Sequence, residues 1–285
     1  MYRKKQKPED KAAVVLQNGA KHKLKIIACD LDGTLLLNGS QELTDAAPGL
    51  IHRLTERGII FFAASGRQYA NLQRLFSPVR QEIGYICENG CLTFIDGEMI
   101  SREEMEDSLA IEIIDAIEAV PGAEVLVSGV NTSIIPDRDL SYYELLRFTV
   151  KNNVTRVRDV REKREPFFKI SAYVKTGLTE EQIRNWKSEF EGKCTVVTGG
   201  SEWLDFMPPG VHKGLALEKV LARLGIPAEN LLCFGDNEND REMLEMAGCP
   251  ITMDTAVESV KELGKYHTDT VEHALEKILD GELTW

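Results

Sequence analysis

From residue 24 onward the chain repeats a short apolar run, a turn and an amphipathic stretch, with the runs at 24–29, 58–64, 84–87, 230–234 and 250–253. Continuous apolar runs that alternate with amphipathic segments are the pattern of strands buried on both faces, with helices crossing between them. The pattern predicts an α/β fold with a doubly wound, Rossmann-like parallel sheet. Between residues 91 and 205 the rhythm changes. A hairpin is expected over 92–100, turning at Asp96-Gly97, because a DG pair between apolar runs is a strong two-residue turn signal. A helix over 109–120, a second hairpin over 124–135, a strand over 167–174, a helix over 179–190 and a strand over 194–197 follow. This mixture predicts a separate α+β domain inserted into the sheet domain. The expected division is a flexible extension over 1–23, a core over 24–90 and 206–285, and an inserted cap over 91–205. The cleft between core and cap is then the natural ligand site.

Charge and composition narrow the partners. The 285 residues carry a formal net charge of -12, and the Lys and Arg cluster only within the first 25 residues, among Pro8, Glu9, Asp10 and Gly19. A nucleic-acid surface needs clustered basic side chains on the folded body, so nucleic acid is excluded as a general partner. No apolar stretch approaches the roughly 20 residues needed to span a bilayer, and the start lacks a secretory signal pattern. A cytoplasmic protein without membrane contact is expected, as a monomer or weak homo-oligomer. Cys29, Cys87, Cys91, Cys194, Cys233 and Cys249 form no CxxC pair and several lie inside apolar runs, so they read as small buried hydrophobes rather than a disulfide or zinc framework.

Four clusters of polar residues follow apolar runs or open helices. Asp30-Leu31-Asp32-Gly33-Thr34 ends the first strand, where open α/β sheets place their ligands. Were the strand geometry to continue, both carboxylates would share one face, and their repulsion would call for a shared proton or a hard divalent cation such as Mg²⁺. A turn in which the two Asp merely cap backbone amides is the alternative. Ser65-Gly66-Arg67 ends the second strand and can offer hydroxyl and backbone donors to a phosphate, or serve as a helix N-cap. Lys213 stands at the start of a helix, where a cation is disfavoured by the macrodipole unless an anion is bound, or unless it extends into solvent. Asp236-Asn237-Glu238-Asn239-Asp240 ends another strand and adds carboxylates that are either helix caps or metal ligands.

The ordered set resembles the haloacid dehalogenase (HAD) superfamily, and in particular its Cof-type phosphatases with a type IIB (C2) cap. The residues that carry it are DLDGTLL from Asp30, ASGR from Ala64, CENG from Cys87, PPGVHKGLAL from Pro208 and GDNENDREML from Gly235, so it covers about residue 24 to the C-terminus. Met253-Asp254-Thr255-Ala256 and Thr268-Asp269-Thr270-Val271 depart from the usual family stretches. The resemblance implies a Mg²⁺-dependent phosphatase acting on a small phosphorylated metabolite through an aspartyl phosphate. Asp30 would be the nucleophile and Asp32 the general acid and base. Mg²⁺ would be held by Asp30, the Asp32 carbonyl and Asp236, with Asp240 behind them. Ser65 and Lys213 would grip the phosphoryl group, with Gly66, Arg67, Asn89 and Asn239 beside it. A phosphomutase and a non-catalytic sugar-phosphate sensor are the alternatives within the same fold. Substrate choice would lie in the cap, with Glu202, Trp203 and Asp205 as candidate contacts.

Overall fold

The computed structural model describes residues 24–162 and 165–283, so the basic extension 1–23 lies outside the described residues. The strands are β1 Ile26–Cys29, β2 Ile60–Ala64, β3 Gly84–Cys87, β4 Leu92–Ile95, β5 Glu98–Arg102, β6 Ala123–Ser128, β7 Ser133–Pro136, β8 Val154–Val157, β9 Lys169–Val174, β10 Thr195–Thr198, β11 Trp203–Met207, β12 Leu231–Gly235, β13 Cys249–Met253 and β14 Tyr266–Thr268. The helices are α1 Ala46–Glu56, α2 Tyr69–Leu75, α3 Asp107–Glu118, α4 Leu140–Glu144, α5 Glu180–Glu189, α6 Lys213–Leu224, α7 Arg241–Met246, α8 Glu258–Lys261 and α9 Val271–Asp280.

The core sheet runs β14-β13-β12-β1-β2-β3-β4-β5, parallel from β14 to β3 and antiparallel at its last two pairings. Its central strands are buried on both faces by the alternation of the pleat. Ile27 and Cys29 pack with Leu50, Ile51 and Leu54 of α1 and Leu275 of α9, while Ile26 and Ala28 pack with Leu217 and Val220 of α6 and Leu244 of α7. The β1 apolar run therefore has no polar alternation, as the sequence pattern requires.

The inserted sheet runs β10-β11-β9-β6-β7-β8. Here the alternation sorts the residues onto two unlike faces. Val125 and Val127, Ile170 and Ala172, and Leu204 and Phe206 form one apolar face under α3 and α5, with Trp186 and Phe190. Their sequence neighbours Leu126 and Ser128, Lys169 and Ser171, and Trp203 and Asp205 occupy the opposite face, toward the core. The capping box Thr179/Gln182 starts α5 close to the expected position.

The boundaries expected at 91 and 205 do not hold. The hairpin turning at Asp96-Gly97 forms, but as β4 and β5 it extends the core sheet, because β4 pairs with β3 and buries Leu92 and Phe94 in the core cluster. The Phe94 ring stacks on Tyr69 of α2 at 3.7 Å. Conversely, Trp203–Met207 belongs to the inserted sheet, between β9 and β10. The chain thus leaves the core sheet after Arg102 and the inserted sheet after Met207. No described helix is long and apolar enough to cross a membrane.

Candidate active site

Asp30 follows β1, and its backbone N–H donates to Phe234 of β12 at 3.0 Å. The chain then reverses at once, with the N–H groups of Thr34 and Leu36 both donating to the Leu31 carbonyl and Gly33 donating to Leu36. The strand geometry does not continue, so the pleat does not set the direction of the Asp32 carboxylate. Asp30 is buried, whereas the Asp32 carboxylate is 55% exposed and gripped by the Arg67 guanidinium at 2.9 and 2.5 Å.

The carboxylates that do crowd Asp30 come from the loop after β12. One oxygen each of Asp30, Asp236 and Asp240 lies within 4.8 Å of the others, the one such acidic group among the described residues. Asp240 is fully buried and braces this loop, accepting from the Asp236 and Asn237 amides at 3.0 and 3.2 Å. Thr34, a residue to which the sequence reading gave no role, donates to Asp236 Oδ1 at 2.6 Å. Gly33 sits at φ +97°, and a Cβ there would fall 2.8 Å from Asp236 Cγ, so only glycine lets the two loops meet. Gly235 is constrained the same way, since a Cβ would lie 2.6 Å from that of Asp240.

Lys213 opens α6, but its side chain does not extend to solvent. It is 1% exposed, and its Nζ donates to Asp240 at 2.7 Å and to Asp30. Two carboxylates offset the macrodipole cost of about 0.3–1 kcal/mol. His212 has a separate role as the N-cap of α6, its Nδ1 accepting from the Leu215 amide at 3.1 Å. One ammonium among three carboxylates, those of Asp30 and Asp240 buried and that of Asp236 partly so, leaves negative charge uncompensated. Burial pushes the Asp30 carboxyl well above the usual carboxylate range, the Asp240 and Asp236 charges push it further, and Lys213 opposes them. Partial burial also raises Asp236, against the Thr34 hydrogen bond. A set of oxygen donors with excess negative charge fits a hard divalent cation such as Mg²⁺. The Asp32 carboxylate stands outside that set.

Ser65 ends β2 and is 1% exposed. It does not cap α2; its Oγ accepts from the Arg67 amide at 3.2 Å, and its carbonyl accepts from the Asn89 amide at 3.0 Å. Asn89 belongs to a turn in which Glu88, Asn89 and Gly90 all have positive φ. Its side-chain amide donates to Asp205 Oδ2 at 2.9 Å, which ties core to cap, while the same side chain lies against Gly66 of the Ser65 loop. Asp30, Asp32, Ser65, Gly66, Arg67, Asn89 and Asn239 all line one cleft of about 380 Å³ between the two sheets. From the cap, Leu126, Ser128, Lys169, Ser171, Trp203 and Asp205 close it. Of the sequence candidates in the cap, Trp203 and Asp205 line the cleft, and Trp203 also packs on Tyr173 at 4.6 Å between centroids. Ser128, Lys169 and Ser171 were not anticipated; their signal was the alternation of polar residues with core residues in β6 and β9.

A profile of haloacid dehalogenase-like hydrolases matches residues 27–277, nearly the whole described chain. The chain belongs to this family. Like its HAD relatives named as phosphatases, it is a hydrolase. It is 27% identical over 252 residues to the Escherichia coli 5-amino-6-(5-phospho-D-ribitylamino)uracil phosphatase YbjI, covering 85% of this chain and 90% of that one. The Bacillus subtilis phosphatase of the same description, YitU, is 26% identical, covering 87% and 93%. Among solved structures, SMU.1108c of Streptococcus mutans superposes with a TM-score of 0.80 at 25% identity, covering 90% of this chain and all of that one. The HAD subclass IIB sugar phosphatase BT4131 shares the fold, with a TM-score of 0.76 at 21% identity over 89% of this chain and 98% of that one.

Proposed function

We propose that this HAD hydrolase is a Mg²⁺-dependent phosphatase that cleaves a small phosphomonoester through a phosphorylated Asp30. The observation that carries the reading is the cluster of Asp30, Asp236 and Asp240 around Lys213, of which Asp30 lines the cleft between the core and the cap. Asp30 and Asp236, with the Asp32 backbone carbonyl, would hold the ion, and Asp240 would brace them. Bound there, Mg²⁺ would neutralise charge so that an anionic carboxylate can meet an anionic phosphoryl group.

Lys213 Nζ and Ser65 Oγ bind phosphoryl oxygens, and Asn239 on the cleft wall stands beside them. An Asp30 carboxylate oxygen forms the bond to phosphorus while the bond to the leaving oxygen breaks, and Asp32 gives its proton to that oxygen. For this the exposed Asp32–Arg67 pair parts, which frees Arg67 for the phosphoryl group. Asp32 then takes a proton from the water that attacks phosphorus. Inorganic phosphate leaves as the Asp30–phosphorus bond breaks. A cleft of about 380 Å³ suits a small metabolite. The phosphoribityl compound named for YbjI and YitU belongs in the first test panel.

The test is phosphate release from a panel of phosphorylated metabolites, in Mg²⁺ and in EDTA, by the wild type and by Asp30→Asn. Turnover should need Mg²⁺ and vanish in the variant without a change in melting temperature. Hydrolysis at the normal rate by Asp30→Asn would refute the covalent mechanism, and full activity in exhaustively chelated protein would refute the metal requirement. Isomerisation of a hexose phosphate without phosphate release would identify a mutase instead.

A further inference from the structure

Lys169 is the first residue of β9, on the cap, yet one of its partners is a backbone atom of the core. It is 6% exposed, and its Nζ lies 2.7 Å from the Gly66 carbonyl oxygen, 3.0 Å from Glu88 Oε2 and 3.1 Å from Asp205 Oδ2. An ammonium has three donors, and all three are used. The two carboxylates are themselves held, Glu88 by Ser128 at 3.0 Å and Asp205 by Ser171 at 2.6 Å and Asn89 at 2.9 Å. Burial works against the Lys169 charge, and Asp205 and Glu88 more than offset it, leaving its pKa above the ordinary lysine value.

The Gly66 carbonyl shares one peptide unit with the Arg67 N–H, which donates to Ser65 Oγ at 3.2 Å. A trans peptide is planar, and its C=O and N–H point in opposite directions. Fixing the carbonyl therefore fixes the N–H, and with it the hydroxyl that the N–H holds. Glycine at 66 offers little resistance to rotation of this unit. It is nonetheless needed there, because a Cβ would press on the Asn89 side chain at 3.1 Å. Within the loop, the peptide's orientation depends on the cation that reaches it from the cap.

We propose that Lys169 is a positioning residue for the phosphoryl-binding loop: from the cap it anchors the Gly66–Arg67 peptide and so sets the Ser65 hydroxyl. The inference rests on the phosphoryl role of Ser65 proposed above. It makes the cap part of the phosphoryl site as well as its cover, because an uncapped core lacks the donor that holds this peptide.

The test is a double-mutant cycle of Ser65→Ala and Lys169→Met, with kcat and kcat/KM measured on the best phosphomonoester at saturating Mg²⁺ and melting temperature followed in parallel. Lys169→Met should lower kcat/KM at least about tenfold in the wild-type background and less than about twofold in Ser65→Ala, because interacting residues give non-additive losses. A purely structural lysine would cost the same factor in both backgrounds. If Lys169→Met leaves Glu88 and Asp205 too poorly compensated to fold, the same cycle is run in Glu88→Gln, which removes one of the two charges. Impaired Ser65→Ala with equal, additive losses from Lys169→Met, or Lys169→Met within about twofold of wild type, would overturn the inference alone. An undiminished Ser65→Ala would overturn both the Ser65 role and this inference.

Discussion

Replacing Lys213 with methionine keeps the length and much of the volume of the side chain while deleting its charge, so it isolates the electrostatics of the site. In wild type the ammonium is 1% exposed and bonded to Asp30 and Asp240. Without metal, its loss leaves three carboxylates within 4.8 Å of one another and no cation among them. Breaking a buried pair by removing one partner costs about 3–5 kcal/mol. At about 2.1 cal/mol/K per residue, unfolding 285 residues carries an entropy of roughly 0.6 kcal/mol/K, so the melting temperature in EDTA should fall by about 5–8 °C. Mg²⁺ at 100 times its dissociation constant should stabilise the wild type by about 2.7 kcal/mol, or roughly 4–5 °C. In Lys213→Met the ion meets the same carboxylates without a neighbouring positive charge, so the Mg²⁺-induced rise should exceed that of wild type and recover much of the loss. Activity should stay absent, since the phosphoryl group has lost its ammonium partner. Thermal unfolding followed by circular dichroism, in EDTA and in a MgCl₂ series, measures both effects. A melting temperature in EDTA within about 2 °C of wild type, or a Mg²⁺ shift no larger than wild type's, would refute this electrostatic account.

Gly33→Ala should destabilise the protein by about 1–3 kcal/mol, because alanine is strained at φ +97° and its methyl collides with the Asp236 carboxyl. Mg²⁺ binding by isothermal titration calorimetry should weaken in parallel; an unchanged dissociation constant would exclude the close approach. Thr34→Val deletes the 2.6 Å bond that orients Asp236 and should weaken Mg²⁺ binding roughly fivefold, about 1 kcal/mol, with little change in fold. The exposed His52–Glu82 pair predicts a pH window: the histidine is raised by its bond to Glu82 and the carboxyl lowered by the same bond. The histidine's share of stability is full below ~6.5 and lost as pH rises through its raised value, while the carboxyl's share is full above ~4.3 and lost as pH falls through its lowered value. His52→Gln should therefore reduce the melting temperature most between those limits, and an equal loss at pH 9 would contradict the pairing.

The sequence determined the parallel core and its chemistry because both depend on local order. A short apolar run such as 26–29, bounded by turns and amphipathic stretches, reads as a strand covered on both faces, with its carboxyl end at the ligand crevice. Asp30, Ser65, Asp236 and Asp240 follow such runs and Lys213 opens a helix, but their pattern alone left caps and solvent as alternatives; the family resemblance joined them into one set, and the structure brings Asp30, Asp236 and Asp240 together about Lys213. Tertiary structure decided what depends on contacts between distant segments. The DG hairpin was legible, but its sheet was not, because antiparallel strands pair equally well in either sheet until Leu92 and Phe94 find the core cluster. Asp32 would share a face with Asp30 only if the strand continued; the chain turns after Asp30, and the partner of the Asp32 carboxylate is the Arg67 guanidinium, 35 residues away in sequence. Lys169 gave no motif at all. Its polar alternation in β9 marks a two-faced strand, but only the packing of that face against the core brings its ammonium to the Gly66 carbonyl, 103 residues distant in sequence.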